Sequence, residues 1–156
     1  MLSVILSAAV KVGVNPILLL SICNVETGLR NVTNYHDHQG PSYGVAQIKL
    51  STAKMVMPNI TVRKLHDPRT NVTAAALLLK RLMNKYHNQW DAVAAYNAGS
   101  LRYKKGKLIN TKYVDKVKKS YYNFSKKLCL TKGNHDSNKI QNQWRTASIN
   151  KTYSMQ

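Results

Sequence analysis

The chain has 156 residues, enough for one domain that buries roughly two thirds of its surface without disulfide staples. Lysine and arginine outnumber the acids 24 to 6, a formal charge of +18, so the expected partner is anionic: nucleic acid, or a cell-wall polymer carrying carboxylates and phosphates. A membrane span is excluded, because Lys11, Asn15 and Asn24 interrupt the most apolar stretch before it reaches ~20 residues, and the two cysteines, Cys23 and Cys129, are expected as buried free thiols.

Residues 2–12 read as a first helix, with Leu2, Ile5, Leu6, Ala9 and Val10 on one side and Gly13 after its end. The same run is apolar enough to suggest a secretory leader. No basic residue precedes it, however, and Lys11 falls inside the helical period, so no leader is expected. A second helix follows: Asn15 suits its cap, Pro16 its first turn, and Gly28 the left-handed position beyond its last residue. It carries the chain's one glutamate, Glu26. Counting back by turns gives Cys23, Ile22 and Leu19, so the carboxyl projects from the face turned to the core. Burial and the negative end of the helix both disfavour its charged form. A carboxyl so placed holds a proton near neutral pH, as a general acid must. A glutamate near a helix end also has a plainer reading, as a solvated surface residue.

From 30 to 43 the period is lost among Asn, Thr, His, Gly and Pro, a loop long enough to suggest function. Ser51 offers a cap for a short helix through Met57, closed by Pro58. Asp67-Pro68 starts the longest helical pattern, to His87, with Ala75, Leu78, Leu79, Leu82 and Met83 as its core stripe. Asp91 caps a short helix that Gly99 ends, and the basic turn RYKKGK follows. Residues 111–128 are amphipathic, with Tyr113, Val117, Tyr121, Phe124 and Leu128 on one face. Six helices without a convincing strand make the expected domain, 1–129, all-α. Residues 130–156 are polar and nearly aperiodic, a tail that is either disordered or packed on the surface.

Four segments, VETGL at 25–29, YGVAQI at 43–48 with Ser51-Thr52-Ala53 after it, AAYNAG at 94–99 and YV at 113–114, together resemble the lytic transglycosylase domain. That family has the goose-type-lysozyme-like fold and cleaves peptidoglycan. The resemblance implies a helical domain around a substrate cleft, with Glu26 as catalytic acid and base and the hydroxyl of Tyr96 beside it. It implies that Gln47 hydrogen-bonds sugar, that Asn97 holds its turn or the substrate, and that Tyr113 faces the cleft from the far side. Tyr43 and Ser42 fall in the same substrate-binding region. Packing is the plainer reading of Tyr113, and helix capping that of Asn97. Thr27 stands where the family usually has serine, Ala46 where it has methionine and Ser100 where proline is common; the acidic residue often found before the last helix is absent. The loop between Glu26 and Gly44 is long for the family, so Ser42 is only a candidate for the serine that relatives place near the glutamate.

Glycosidases ordinarily need two carboxyl groups roughly 5–9.5 Å apart. Here Asp67 and Asp91 read as caps, Asp115 lies on a lysine-rich face and Asp136 in the tail, which leaves Asp37. A lytic transglycosylase avoids the requirement, because the C6 hydroxyl of the sugar is the nucleophile. The expected reaction is therefore cleavage of the MurNAc–GlcNAc β-1,4 bond with formation of 1,6-anhydro-MurNAc, the alternative being a hydrolytic muramidase that uses Asp37. Two readings from other classes account for the charge: a nucleic-acid-binding helical module, for which the basic residues are too dispersed and no motif is found, and a membrane-active helix at 111–128. His36-Asp37-His38 lacks a third ligand at metal-binding spacing, so neither metal nor cofactor is expected. The expected partners are peptidoglycan strands, anionic wall polymers and other virion proteins, without specific nucleic acid. A wall-degrading enzyme without a leader points to bacteriophage, as a virion enzyme or an endolysin made in the host cytoplasm.

Overall fold

Capping chemistry sets the first two helices. α1 (Leu2–Val12) ends at Gly13, whose left-handed backbone sends its N–H to Ala9 and Val10. α2 (Pro16–Thr27) begins where Asn15 Oδ1 accepts from the N–H groups of Ile17 and Leu18, and ends on Gly28 at φ 63°. The computed structural model describes residues 1–38 and 40–131, with side chains through Leu128. The expected tail beyond residue 131 and the state of Cys129 lie outside the described residues.

The segment 30–43, read as an irregular loop, contains two short strands, β1 (Thr33–Asn34) and β2 (Ser42–Tyr43), and a third, β3 (Ile48–Lys49), follows it; they pair antiparallel in the order β1-β2-β3. Thr33 faces Tyr43, which in turn faces Ile48, and Ser42 faces Lys49. Strands of two residues are too short to show an alternating pattern in sequence. α3 (Leu50–Lys54) comes directly off β3. Lys49, already extended, occupies its cap without a side-chain bond, so Ser51 is not the cap and the helix stops before Met57.

α4 (Val62–Leu65), capped by Thr61, makes a seventh helix among the described residues; at four residues it has no period to read. α5 (Pro68–Tyr86) starts at Asp67, whose carboxylate accepts from the Thr70 N–H at 2.8 Å. α6 (Gln89–Ala98) begins earlier than expected, because Asn88 rather than Asp91 supplies the cap oxygen, to the N–H groups of Trp90 and Asp91. A hairpin, β4 (Tyr103–Lys104) and β5 (Lys107–Leu108), replaces the expected basic turn, and α7 (Thr111–Thr131) follows, longer than α5.

The architecture is thus all-α with marginal sheet. Residues Met1–Tyr122 form one compact unit, and from Asn123 the chain belongs to a second. Within the first unit α5 is the hub, packing on α1, α2, α3, α4 and α6. Ala74, Ala75 and Ala76 of α5 are fully buried, and side chains that small let neighbouring helices approach closely. The core stripe of α1 is Ile5, Ala8 and Ala9, a rotation from the expected face that leaves Leu2 and Val10 exposed. Among the described side chains of α7 the buried ones are Val114, Val117 and Ser120. This helix is tied to α2 by Asn15 Nδ2 to the Tyr121 hydroxyl (3.2 Å) and Asn24 Nδ2 to Ser120 Oγ (3.1 Å). None of the described helices is long and apolar enough to cross a membrane.

Candidate active site

Glu26 sits in the last turn of α2 above Leu19, Ile22 and Cys23, all fully buried. Its own side chain remains partly open to solvent. Desolvation pushes its pKa up from 4.5 to about 7; a hydrogen bond from Tyr113 pulls it back, and the charge of Asp37 pushes it further up. The Tyr113 hydroxyl donates to Glu26 Oε1 at 2.6 Å, a short contact of the charge-assisted kind. Burial, reinforced by the neighbouring carboxylate, holds the Tyr113 hydroxyl well above its ordinary range, so it stays a donor. Cys23, one turn below, has its thiol pushed up to about 12, chiefly by burial. It is therefore a packing residue and not a nucleophile.

The segment 43–47 straps together the elements around this carboxyl, and its backbone groups are satisfied almost one by one. Asn71, fully buried on α5, donates to the carbonyls of Tyr43 (2.8 Å) and Leu65 (3.2 Å) and accepts from the Ala46 N–H (3.0 Å). The Gly44 N–H bonds to the Val32 carbonyl at 2.8 Å. Thr27 Oγ1, at the end of α2, donates to the Val45 carbonyl at 2.9 Å, so the hydroxyl kept at this position fixes the strap to the glutamate-bearing helix. The Tyr96 hydroxyl of α6 donates to the Ala46 carbonyl at 2.9 Å. Among the described residues no buried side-chain polar atom lacks a partner.

The expected site residues are placed as follows. The hydrogen bond to Glu26 comes from Tyr113, not Tyr96, whose hydroxyl is committed to Ala46; Tyr96 still lies within the electrostatic reach of Glu26. Tyr113 is thus more than a packing residue. Gln47 turns back on its own loop. Its Nε2 donates to the carbonyls of Val32 (3.0 Å) and Gly44 (2.8 Å), and its Oε1 accepts from Ser42 Oγ at 2.7 Å. A backbone φ of 49° aims it there. Ser42, 1% exposed, spends its hydroxyl on Gln47, and the buried Tyr43 ring packs edge-on against His66 at 5.4 Å. These residues shape the strap from inside. Asn97, on the exposed end of α6, accepts from Asn110 Nδ2 (2.9 Å), which also donates to the Ala94 carbonyl, so it holds the turn into α7. Asn71 was not singled out from sequence, although a polar residue four before Ala75, in register with an apolar stripe, is the signal that marks it.

Asp37 is occupied by Lys49, 3.5 Å away, whose ammonium also donates to the His38 carbonyl. Among the described residues no group of three His, Cys, Asp or Glu side chains could hold a metal ion. Two surface depressions, about 420 Å³ lined by Ser3, Ser7, Lys11, Arg69 and neighbours and about 260 Å³ lined by Met57, Pro58 and neighbours, do not include Glu26.

The candidate site is thus a partly buried glutamate with a tyrosine donor from α7, beside a strap that joins α2, α5 and α6. The Transglycosylase SLT domain family matches residues 3–121, and the chain belongs to that family. Protein IpgF of Shigella flexneri is 31% identical over 107 residues, which cover 67% of this chain and 69% of that protein. Protein IpgF of Shigella sonnei matches to the same extent. The fold is similar to that of an inactive mutant of the lytic transglycosylase Slt from Pseudomonas aeruginosa, with a TM-score of 0.68 and 19% identity over 81% of this chain. The matched region is 24% of the Slt chain.

Proposed function

We propose that the chain is a peptidoglycan lytic transglycosylase that uses Glu26 as its only titrating catalytic group. The observation that carries this reading is a carboxyl with a pKa near 7, bonded to a tyrosine hydroxyl, with the other nearby carboxylate already paired to a lysine. Protonated Glu26 gives its proton to the bridging oxygen between N-acetylmuramic acid and N-acetylglucosamine, and the C1–O bond breaks with oxocarbenium character. The C6 hydroxyl of the muramic acid then closes on C1 and returns its proton to Glu26, so one residue is acid and then base and no water is consumed. Tyr113 stabilises the carboxylate between the two transfers. Tyr96, Thr27, Gln47 and Asn71 hold the strap and so act as positioning residues. Family membership favours this reading over a nucleic-acid-binding or membrane-active helical protein.

Mass analysis of digested peptidoglycan tests the reaction type. Anhydro ends, lighter by one water than reducing ends, are expected; reducing ends would mean hydrolysis, with Asp37 as its base. Tyr113→Phe tests the protonation argument. The lost donor favours the protonated form of Glu26, so its pKa rises and the alkaline limb of the pH–rate profile moves to higher pH. The maximum rate falls roughly 10- to 100-fold, because the carboxylate left after the first transfer loses its partner. An unmoved alkaline limb would show that the hydroxyl does not act on Glu26.

A further inference from the structure

Between Asp91 and Asp115 the chain has no acidic residue, and the hairpin β4–β5 lies in that interval. Arg102, Lys104, Lys105 and Lys107 are all exposed, and Tyr103 between them is 57% exposed. None of the three lysines makes an ion pair among the described residues. Lys105 and Gly106, the two turn residues, have φ of 51° and 73°, the mirror-image turn in which asparagine precedes glycine at least cost. A lysine at the first of these positions is strained and finds no contact that offsets the strain, so what it offers is an ammonium group at the tip.

The hairpin is also fixed to the catalytic region. Its base closes through the Ile109 N–H to the Arg102 carbonyl (3.1 Å). The next residue, Asn110, reaches the end of α6 through Ala94 and Asn97. The Asn110 carbonyl accepts from the N–H of Tyr113 at 2.9 Å, and Tyr113 bonds to Glu26. The base of the cationic hairpin thus leads, through Ile109 and Asn110, into the first turn of α7, which carries the tyrosine bonded to Glu26. In peptidoglycan the peptide stem is carried by the muramic acid, the sugar whose anomeric bond breaks, and its free carboxylates are the negative charges nearest that bond.

We infer that the β4–β5 hairpin recognises the stem-peptide carboxylates of the glycan strand, so that the protein discriminates peptide-bearing strands from stripped ones. This rests on reading the Glu26 site as a peptidoglycan-cleaving centre. The hairpin supplies an ammonium cluster on a short turn, with Tyr103 as an aromatic face beside it, and free carboxylates on a flexible peptide fit such a surface.

The test measures binding of fluorescently labelled glycan strands by anisotropy, in the Glu26→Gln background so that they stay intact. Peptide-bearing strands are compared with strands stripped by an amidase. The variant is Lys104→Ser/Lys105→Asn/Lys107→Ser, in which asparagine suits the turn; the control, Lys54→Ser/Arg63→Ser/Lys64→Ser, removes equal charge from exposed positions elsewhere. The parent should bind peptide-bearing strands about tenfold more tightly than stripped ones, with a gain that shrinks as salt rises. The hairpin variant should lose that gain and the control should keep it. Equal loss in both variants, a gain that survives in the hairpin variant, or no gain in the parent each overturns the proposal. So does a larger loss on polyphosphate than on peptide-bearing strands, which would assign the surface to phosphate polymers or nucleic acid. Absence of anhydro products from the wild-type protein would instead sink the catalytic reading while leaving this binding result standing.

Discussion

Glu26→Gln is expected to lower turnover of peptidoglycan by roughly 10³-fold and, at pH 8, to make the protein more stable. The first effect follows from the proposed mechanism, in which Glu26 performs both proton transfers; glutamine keeps an oxygen for the Tyr113 hydroxyl to bond, so the local geometry survives. The second follows from linkage. The folded carboxyl has a pKa of about 7 against an ordinary 4.5, so between those values the folded state binds a proton that the unfolded state has released. Stability therefore falls as pH rises through that window. Above pH 7 the ionised carboxylate in its desolvated place costs about 3 kcal/mol. Glutamine removes that penalty, and the melting temperature should rise by several degrees at pH 8 while matching the wild type near pH 4.5. Thermal melts at the two pH values, beside a turnover assay, check both halves. Retained turnover would remove the catalytic assignment, and a pH-independent difference in melting temperature would show that the carboxyl is well solvated.

The parts of the fold that were legible in sequence are those in which local chemistry decides the outcome. Asn15, Pro16 and Gly28 bound α2, and Asp67-Pro68 starts α5, because caps act within a single turn. Glu26 was legible for the same reason: helical spacing alone places it over Leu19, Ile22 and Cys23. The partner of Glu26 was not, since Tyr113 lies 87 positions away, and no local pattern says which of two tyrosines reaches a given carboxyl. Gln47 shows another limit. Motif likeness points it at sugar, yet a backbone φ of 49° turns its amide back onto Val32 and Gly44, and residue type does not encode that dihedral. The three short strands were missed because two residues show no alternation, and their partners lie up to ten positions away in the chain.

Asn71→Leu is expected to cost about 3–5 kcal/mol of stability, near 10 °C in melting temperature for a chain of this size, and to lower turnover even where the protein remains folded. Leucine has the branching of asparagine but is bulkier and apolar, so the loss combines missing hydrogen bonds with crowding. The Ala46 N–H and the Tyr43 and Leu65 carbonyls lose their partner at a site fully closed to water, and each buried orphan costs about 1–3 kcal/mol. The strap is also what Thr27 and Tyr96 hold from their own helices, so a displaced 43–47 segment disturbs the ends of α2 and α6 together. Gly44→Ala attacks the same junction from the other side. A Cβ there would lie 2.3 Å from Asn71 Nδ2, on a backbone at φ 74°. Because both substitutions disrupt one contact, the double variant should lose less than the sum of the single losses. Denaturant unfolding of the two single variants and the double variant measures this directly. Additive losses, or an Asn71→Leu variant within 1 kcal/mol of the wild type, would show that the strap is anchored by its other bonds and that Asn71 only fills space.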